Sequence, residues 1–259
     1  MMTISIMRNG EALASKSGEE EAYLVWMGTF EKGDTITLSG LEKSHYLIDL
    51  GMGRTIVYAS GRDFSFPVPF DEKKQCYDQR LFTGNIHYMY VRRAYEFEWQ
   101  YRNLAYNPYD GHSNDALFPH SKANIETRGE SVFASRNAFD GVVAASSHGP
   151  WPFESWGINR DPGAELYLEF GCRVLVDRII MYTRADFPHD AWWDECTVKF
   201  SDGSSEKLPL VKKDGRQIFR IAPRIIDSLT ICDLIKSDDP SPFPALIQAE
   251  VYGKEILWS

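Results

Sequence analysis

The fold of this 259-residue chain is decided by the stretch AELYLEFGCRVLVDRIIMY, residues 164–182. Apolar side chains alternate with polar ones on both sides of its central glycine, and this period of two is typical of strands that bury one face. We interpret the stretch as two strand segments, AELYLEFG and VDRIIMY. Helical periodicity is scarce in the rest of the chain, so the sequence favours β structure.

Short β-rich runs of the same kind recur between turn signals made of glycine, aspartate and proline. They include DTITLSG, HYLIDLG, RTIVYASG and IHYMYVRRA in the first half, and CTVKFSDGS, RQIFRIA, SLTICDLI and ALIQAEVYG in the second. Strands at this spacing predict antiparallel sandwiches rather than a parallel α/β sheet. The aromatic content of 14 % agrees with this, because aromatic residues are enriched in strands.

The two groups of runs are separated by a polar, turn-rich segment without a strand period. We therefore predict an all-β protein of two antiparallel β-sandwich domains, residues 1–110 and 111–259. The alternative is one extended sandwich with a long functional loop. A short helix is predicted within residues 130–141, ESVFASRNAFDG, where Ala, Ser and Arg precede a glycine stop. We expect the polar segments 101–112 and 118–130 to fill the interface between the two domains with satisfied polar contacts. The alternative is a ligand crevice at this interface.

The composition narrows the classes of function. The formal net charge is −9 and no basic patch with interleaved aromatics occurs, so we expect neither nucleic acid nor a membrane as partner. No run has the apolar length of a signal peptide or of a membrane span. The four cysteines form no CxxC pair, so neither a zinc knuckle nor a redox motif is indicated. We expect a cytoplasmic protein with reduced cysteines.

Four motifs in the second half occur in the order of a known family. They are SRNAFDG (135–141), the opening stretch (164–182), VKFSDGS (198–204) and IQAEVYG (247–253). With these motifs the second half resembles the discoidin, or coagulation factor 5/8 type C, domains. The resemblance implies a galactose-binding-like jelly roll that acts as a binding module for sugars, phospholipid head groups or proteins. Fold membership does not decide among these ligands.

The loop TRADFPHDAWWDE (183–195) is the first candidate for ligand binding. A sugar offers a ring face of C–H groups, which an indole can stack on, and an edge of hydroxyls, which Arg and Asp can bind. We expect a polar grip from Arg184, Asp186 and His189, and a stacking platform from Trp192 or Trp193. Because adjacent strand residues point to opposite faces, one of the two tryptophans is expected in the core. The alternative is a structural role, with an Arg184–Asp186 ion pair.

A second loop, SSHGPWPFESWGINRDPG (146–163), is expected at the same end of the sandwich. Its prolines and glycines indicate a rigid, irregular loop rather than a strand. His148 and Trp151 are its main candidate ligand-binding residues, and Glu154, Trp156 and Asn159 could complete a pocket there. Trp151 is flanked by two prolines, which makes it the better candidate for exposure. Trp156 is expected to close the core.

A structural calcium ion is a further expectation that the resemblance implies. Discoidin-like domains use the Asp of the DG pair, backbone carbonyls and a Glu in the last strand, and Asp140 and Glu250 match these positions. Calcium takes six to eight oxygen ligands. The usual DGDxxT continuation is missing here, which removes one side-chain ligand. The alternative is that Asp140 caps the turn and Glu250 pairs with a base such as Arg136.

The function that the sequence favours is non-catalytic recognition of a carbohydrate or a sugar-containing small molecule by these loops. We expect that this function requires no cofactor. A homo-oligomer is possible, and the sequence does not decide the oligomeric state. One alternative is a protein–protein interaction module that uses the same aromatic loops. The other is a hydrolase or lyase in which two of His120, His148 and His189 converge with a carboxylate. No GxSxG, P-loop, GxGxxG or HExxH motif is present.

Overall fold

The structure is a computed structural model that describes residues 1–184 and 191–256. Its regular elements are strands and short 3-10 helices, and no α-helix occurs among these residues. The same residues contain no helix long and apolar enough to cross a membrane.

The strands are β1 (Met2–Arg8), β2 (Glu11–Gly18), β3 (Glu21–Trp26), β4 (Thr35–Ser39), β5 (Ser44–Asp49), β6 (Thr55–Ala59), β7 (Phe64–Pro67), β8 (His87–Arg93), β9 (Arg102–Asn103), β10 (Leu117–Phe118), β11 (His120–Ala123), β12 (Trp156–Gly157), β13 (Leu166–Thr183), β14 (Trp193–Phe200), β15 (Ser205–Pro209), β16 (Gln217–Lys236) and β17 (Ala245–Glu255). The 3-10 helices span Asp71–Cys76, Glu96–Trp99, Thr127–Gly129, Ser131–Phe133 and Ser135–Phe139.

The first half of the chain forms a sandwich of two antiparallel sheets. One has the order β2-β1-β4-β7 and the other the order β10-β6-β5-β8-β3. The inward positions of the strands alternate with outward ones, so Ile4 and Ile36 of the first sheet share a core with Ile48, Val57 and Met89 of the second. The predicted all-β class with antiparallel sheets is confirmed.

The second half is built around the opening stretch, which forms the long strand β13. This strand pairs antiparallel with β16 on one side and with β17 on the other, in a sheet of order β12-β17-β13-β16-β14-β15. Buried positions alternate along β13, and the phase changes after Asp177, where the register with both neighbours shifts between Val176 and Arg178. Such bulges bend a strand. The bent sheet encloses one core that includes Trp156 and Trp193.

The chain passes between the two sandwiches more than once in residues 102–123. The strand β9 pairs with β17 of the second sandwich, β10 then pairs with β6 of the first, and β11 returns to pair with β13. At this junction Gly171 has a φ of +72°, and an added Cβ would lie 2.5 Å from the ring of Phe118. The glycine therefore permits close contact between β13 and the segment 102–123, which we call the connection. The single boundary at residue 110 stays a prediction.

The predicted helix in residues 130–141 is replaced by a series of short 3-10 turns. Two of them, Ser131–Phe133 and Ser135–Phe139, are joined at Ala134, which has an extended backbone. Within this segment the buried Asn137 side chain donates hydrogen bonds to the carbonyls of Ser131 and Ser155. Side-chain bonds of this kind compete with helix formation, which explains why the alanine-containing segment is not one helix.

The first prediction concerns Tyr109, which fastens the connection to the first sandwich. Its buried hydroxyl accepts hydrogen bonds from the amides of Leu50 (2.8 Å) and Met52 (3.0 Å) and donates to the carbonyl of Gly53 (2.8 Å). Tyr109→Phe leaves these groups without a partner, so we expect the free energy of unfolding to fall by about 2 kcal/mol. Urea denaturation measures it, with the exposed Tyr88→Phe as control. Equal stability of the two variants would contradict the role of this hydroxyl.

Candidate functional site

A cavity of about 630 Å³ opens at the loop end of the second sandwich. It lies where β12 and β13 end and where β17 begins, and the amide of Arg184 donates to the carbonyl of Ala245 to close β13 against β17. The cavity is therefore formed by loops held on rigid strands. Its lining residues come from five segments of the chain, and they include Thr127, Phe133, His148, Ile158, Asn159, Arg160, Arg184, Asp239 and Phe243.

The wall of the cavity that begins at the end of β12 is formed by residues 157–160, GINR, and its shape depends on this local sequence. A Cβ on Gly157 would lie 2.7 Å from Thr127 Oγ1, so glycine permits the close contact between these two segments. Thr127 Oγ1 accepts a hydrogen bond from the amide of Asn159 at 2.9 Å. Asn159 and Arg160 then both have a positive φ, of 50° and 61°, which turns the chain sharply. The exposed side chains of these two residues line the cavity.

The apolar part of the cavity is dominated by Phe243, which lies between Pro242 and Pro244 in the loop before β17. The Phe243 side chain is 46 % exposed, and the guanidinium of Arg160 lies 4.3 Å from the centroid of its ring. This cation–π contact and the two flanking prolines restrict the ring. Phe243 is therefore a platform on which a flat apolar surface can stack.

The polar part of the cavity includes Arg184, His148 and Asp239. Arg184 is 3 % exposed and its Nη2 donates to Ser155 Oγ at 3.2 Å, so the guanidinium has a fixed position. His148 is exposed. The Asp239 carboxylate accepts a hydrogen bond from the amide of Ser241 at 2.8 Å. The cavity thus offers donors and an acceptor beside an aromatic ring, and such a combination fits a ligand with one apolar face and a polar edge.

Of the polar residues predicted from the two loops, the structure brings Arg184 and His148 together in this cavity. Their loops therefore lie at the same end of the sandwich. The other two, Asp186 and His189, lie outside the described residues.

The predicted tryptophans do not line this cavity. Trp193 is 1 % exposed and belongs to the core, as expected for one member of the pair. Trp192 is half-buried, and its Nε1 donates to Asp194 at 2.9 Å. Trp151 is half-buried as well, and its amide donates to the carbonyl of Gln75 at 2.7 Å, which places it against the first half of the chain.

Asn159 lines the cavity as its loop predicted, whereas the sequence patterns did not point to Phe243 or Arg160. The signal for Phe243 is present in DPSPFPA, residues 239–245, where prolines surround one aromatic residue as they surround Trp151. Asparagine favours a positive φ, so Asn159 carries a local signal for the turn, whereas the contact with Thr127, which is far away in the sequence, left none.

The predicted calcium ligand Asp140 lies in a buried cluster of charges. Its Oδ1 accepts from the amide of Val142 at 3.0 Å, so it caps the turn, and its Oδ2 lies 3.7 Å from Nη1 of Arg136. Burial raises the pKa of Asp140, although Arg136 opposes the rise. Burial and the charge of Asp140 also raise the pKa of the neighbouring Glu154. A guanidinium at this distance supplies positive charge of the kind that a metal ion would supply, so these residues fit an ion pair better than calcium.

The second predicted calcium ligand, Glu250, is half-buried on β17. Burial and then the charge of Glu250 raise the pKa of Tyr182 and of Tyr252, so the carboxylate lies beside two phenols. The β17 residue that reaches the Asp-Gly turn is Gln248, whose Oε1 accepts from the amide of Gly141 at 3.2 Å. Calcium at Asp140 and Glu250 stays a prediction.

The enzyme alternative required two histidines to converge with a carboxylate. His120 is buried and its Nδ1 lies 2.7 Å from Asp110, whose other carboxylate oxygen accepts from the amide and hydroxyl of Ser121. His120 is thus held in a buried polar cluster with Asp110 and Ser121, and it does not line the cavity that contains His148.

No protein-family model matches the sequence, and no curated protein matches it. Among solved structures, chitosan-binding module 1 of the chitosanase/glucanase from Paenibacillus sp. IK-5 is 18 % identical, with a TM-score of 0.41, over 59 % of this chain and 99 % of its own. The Streptococcus pneumoniae fucose binding module SpX-3 is 12 % identical, with a TM-score of 0.42, over 60 % and 99 %. The family 32 CBM from C. perfringens NanJ, in complex with galactose, is 15 % identical, with a TM-score of 0.37, over 51 % and 91 %. Likenesses of this size carry no argument about a ligand, and membership of the discoidin domains stays a prediction.

The second prediction concerns the Asp140–Glu154 pair. Because the pKa of both carboxyls is raised on folding, the folded chain retains protons that the unfolded chain loses. Stability therefore falls as the pH rises above about 4.3, the pKa of an unfolded glutamate. Glu154→Gln removes this ionisation, so we expect the variant to be more stable than the wild type by about 1 kcal/mol or more at about pH 8, and to differ less at about pH 5.

Thermal and urea unfolding at several pH values measure this difference. The control is Glu165→Gln at an exposed glutamate, which we expect to follow the wild-type pH profile. If Glu154→Gln and the wild type lose stability in parallel as the pH rises, Glu154 is not the group responsible.

Proposed function

We propose that the cavity at the loop end of the second sandwich binds a carbohydrate and does not transform it. The observation that carries the proposal is the exposed ring of Phe243 beside the polar side chains of Arg184, His148, Asn159 and Asp239 in one concave site. A sugar ring presents C–H groups that stack on an aromatic face and vicinal hydroxyls that bind such donors and acceptors. This cavity provides both an aromatic face and polar side chains that could bind hydroxyls.

The size and rigidity of the cavity support a small saccharide as the ligand. Its volume of about 630 Å³ lies within the range of about 300 to 1,000 Å³ that is usual for small-molecule sites. The buried Arg184 is hydrogen-bonded to Ser155, and Phe243 is restricted by Arg160, so both are ordered before a ligand arrives. Preorganised side chains reduce the entropy lost on binding.

The lining also favours recognition over catalysis. Glycoside hydrolysis uses a pair of carboxyl groups that flank the scissile bond. Among the lining residues that the structure describes, Asp239 is the single carboxylate. A concave site likewise favours a small ligand over the flat surface that a protein partner uses, which makes the interaction-module alternative the weaker one.

The third prediction is the direct test of this function. A glycan array followed by a thermal-shift titration should identify a saccharide that raises the Tm of the wild type. Phe243→Ala removes the stacking platform at an exposed position, so we expect the fold to persist and the affinity to fall about tenfold, or ~1.4 kcal/mol. Arg184→Ala should abolish the shift.

The matched control is Phe97→Ala, an exposed phenylalanine in the first half of the chain, which should bind as the wild type does. Circular dichroism shows whether each variant is folded. The proposal is wrong if no saccharide shifts the wild type, or if Phe243→Ala and Phe97→Ala bind a saccharide equally well. Release of a cleaved sugar during the titration would instead support the enzyme alternative.

A further inference from the structure

A second cluster of chemically reactive side chains lies at the junction of the two sandwiches, away from the cavity. His45 comes from β5 of the first sandwich, Cys172 from β13 and Glu255 from the end of β17. One ligand atom from each lies within 4.8 Å of the other two. In the part of the chain that the structure describes, no other group of three His, Cys, Asp or Glu residues comes together in this way.

The three side chains converge on one point. Cys172 Sγ lies 3.9 Å from Nε2 of His45, and Glu255 Oε2 lies 2.5 Å from the same nitrogen. In a relay of nucleophile, base and acid, the acid binds the ring nitrogen opposite to the nucleophile. Here both groups approach the same nitrogen, so the geometry does not fit a cysteine nucleophile with a His–Glu base.

The carboxylate of Glu255 gives an independent indication of a ligand. Its side chain is about nineteen-twentieths buried, with 5 % exposed, and its Oε2 lies in a 2.5 Å ion pair with His45 Nε2 and makes no hydrogen bond beyond that contact. The other oxygen, Oε1, is already bound by the Arg102 guanidinium. A carboxylate oxygen can accept more than one partner, so this buried oxygen has capacity for an additional one beside His45.

We propose that His45 Nε2, Cys172 Sγ and Glu255 Oε2 together bind one Zn²⁺ ion. Imidazole nitrogen, thiolate sulfur and carboxylate oxygen are the three ligand types that zinc takes in proteins. Calcium and magnesium prefer oxygen ligands alone, so the sulfur and nitrogen exclude them here. Three protein ligands leave the fourth tetrahedral position for a water molecule.

The ligand spacing needs only small movements to suit zinc. Bonds of 2.0 to 2.3 Å in a tetrahedron place ligand atoms roughly 3.3 to 3.8 Å apart. The sulfur–nitrogen distance of 3.9 Å is close to this range, and the nitrogen–oxygen distance of 2.5 Å must widen by about 1 Å. Zinc between these two atoms would replace a close contact by two coordinate bonds.

Neighbouring side chains hold two of the three ligands, Glu255 and His45, in position, as residues in contact with metal ligands commonly do. The Arg102 guanidinium holds the far oxygen of Glu255 and so directs Oε2 to the site. The rings of Trp99 and Tyr58 lie 4.6 Å and 5.0 Å from the His45 ring, measured between centroids, and they restrict its rotation. Such outer contacts contribute tenfold to hundredfold to metal affinity.

The fourth prediction tests this site with cobalt(II), which occupies zinc sites and absorbs light. The purified chain is treated with a chelator, dialysed and titrated with Co²⁺. We expect one ion per chain, a sulfur-to-cobalt charge-transfer band in the near ultraviolet and tetrahedral bands in the visible region that Zn²⁺ removes. Because the ligands come from both sandwiches, Zn²⁺ should also raise the Tm by several degrees.

Two variants and one control make the test specific. Cys172→Ser should lose the charge-transfer band. Glu255→Gln should weaken binding by about 100-fold, because the loss of a direct ligand should cost at least as much as the loss of an outer contact, which is worth up to that factor. The control is Cys232→Ser, a buried cysteine on β16 outside the cluster, which should keep the band. The proposal is overturned if the folded wild type binds no Co²⁺ more tightly than folded Cys172→Ser, or if Cys232→Ser loses the band instead.

Discussion

The rest of the structure depends on one buried positive charge, the guanidinium of Arg136. It donates to the carbonyls of Asp110 (3.2 Å) and Pro108 (3.0 Å) and to the side chain of Asn137 (3.0 Å), and it lies 4.4 Å from the ring centroid of Tyr77. A buried charge is tolerated only when its donors are satisfied. Arg136 therefore fixes three parts of the chain together, namely the first sandwich, the connection and the start of the second sandwich.

The same charge is linked to the cavity by a chain of buried hydrogen bonds. Asn137, which accepts from Arg136, donates through its Nδ2 to the carbonyl of Ser155 at 3.3 Å. Ser155 in turn accepts from Arg184 through its hydroxyl at 3.2 Å. A buried polar network of this kind specifies the arrangement of the loops that contribute to it. The position of Arg184 in the cavity is therefore set by the junction between the sandwiches as well as by its own strand.

Local sequence patterns predicted some of these features and not others. The period of two identified the strands and placed one of Trp192 and Trp193 in the core without deciding which, and the turn residues between strands located the loops of Arg184 and His148. The burial of Arg136 could not be predicted, because its partners are carbonyl groups of the connection, more than twenty residues away along the chain. Phe243 was missed for a related reason, since proline-rich segments indicate rigidity but do not show which side of an aromatic ring faces solvent.

The first sandwich contacts a wall of the cavity even though the cavity belongs to the second sandwich. The 3-10 helix Asp71–Cys76 contacts the segment that follows Thr127, where Glu72 accepts from the amide of Ser131 at 2.6 Å and from its hydroxyl at 2.8 Å. Ser131 begins the 3-10 helix Ser131–Phe133, and Phe133 at its end lines the cavity. A wall of the cavity is thus fastened to the first sandwich. If the cavity binds the carbohydrate that we propose, this support reduces the ordering that binding requires, because the wall is already held in place.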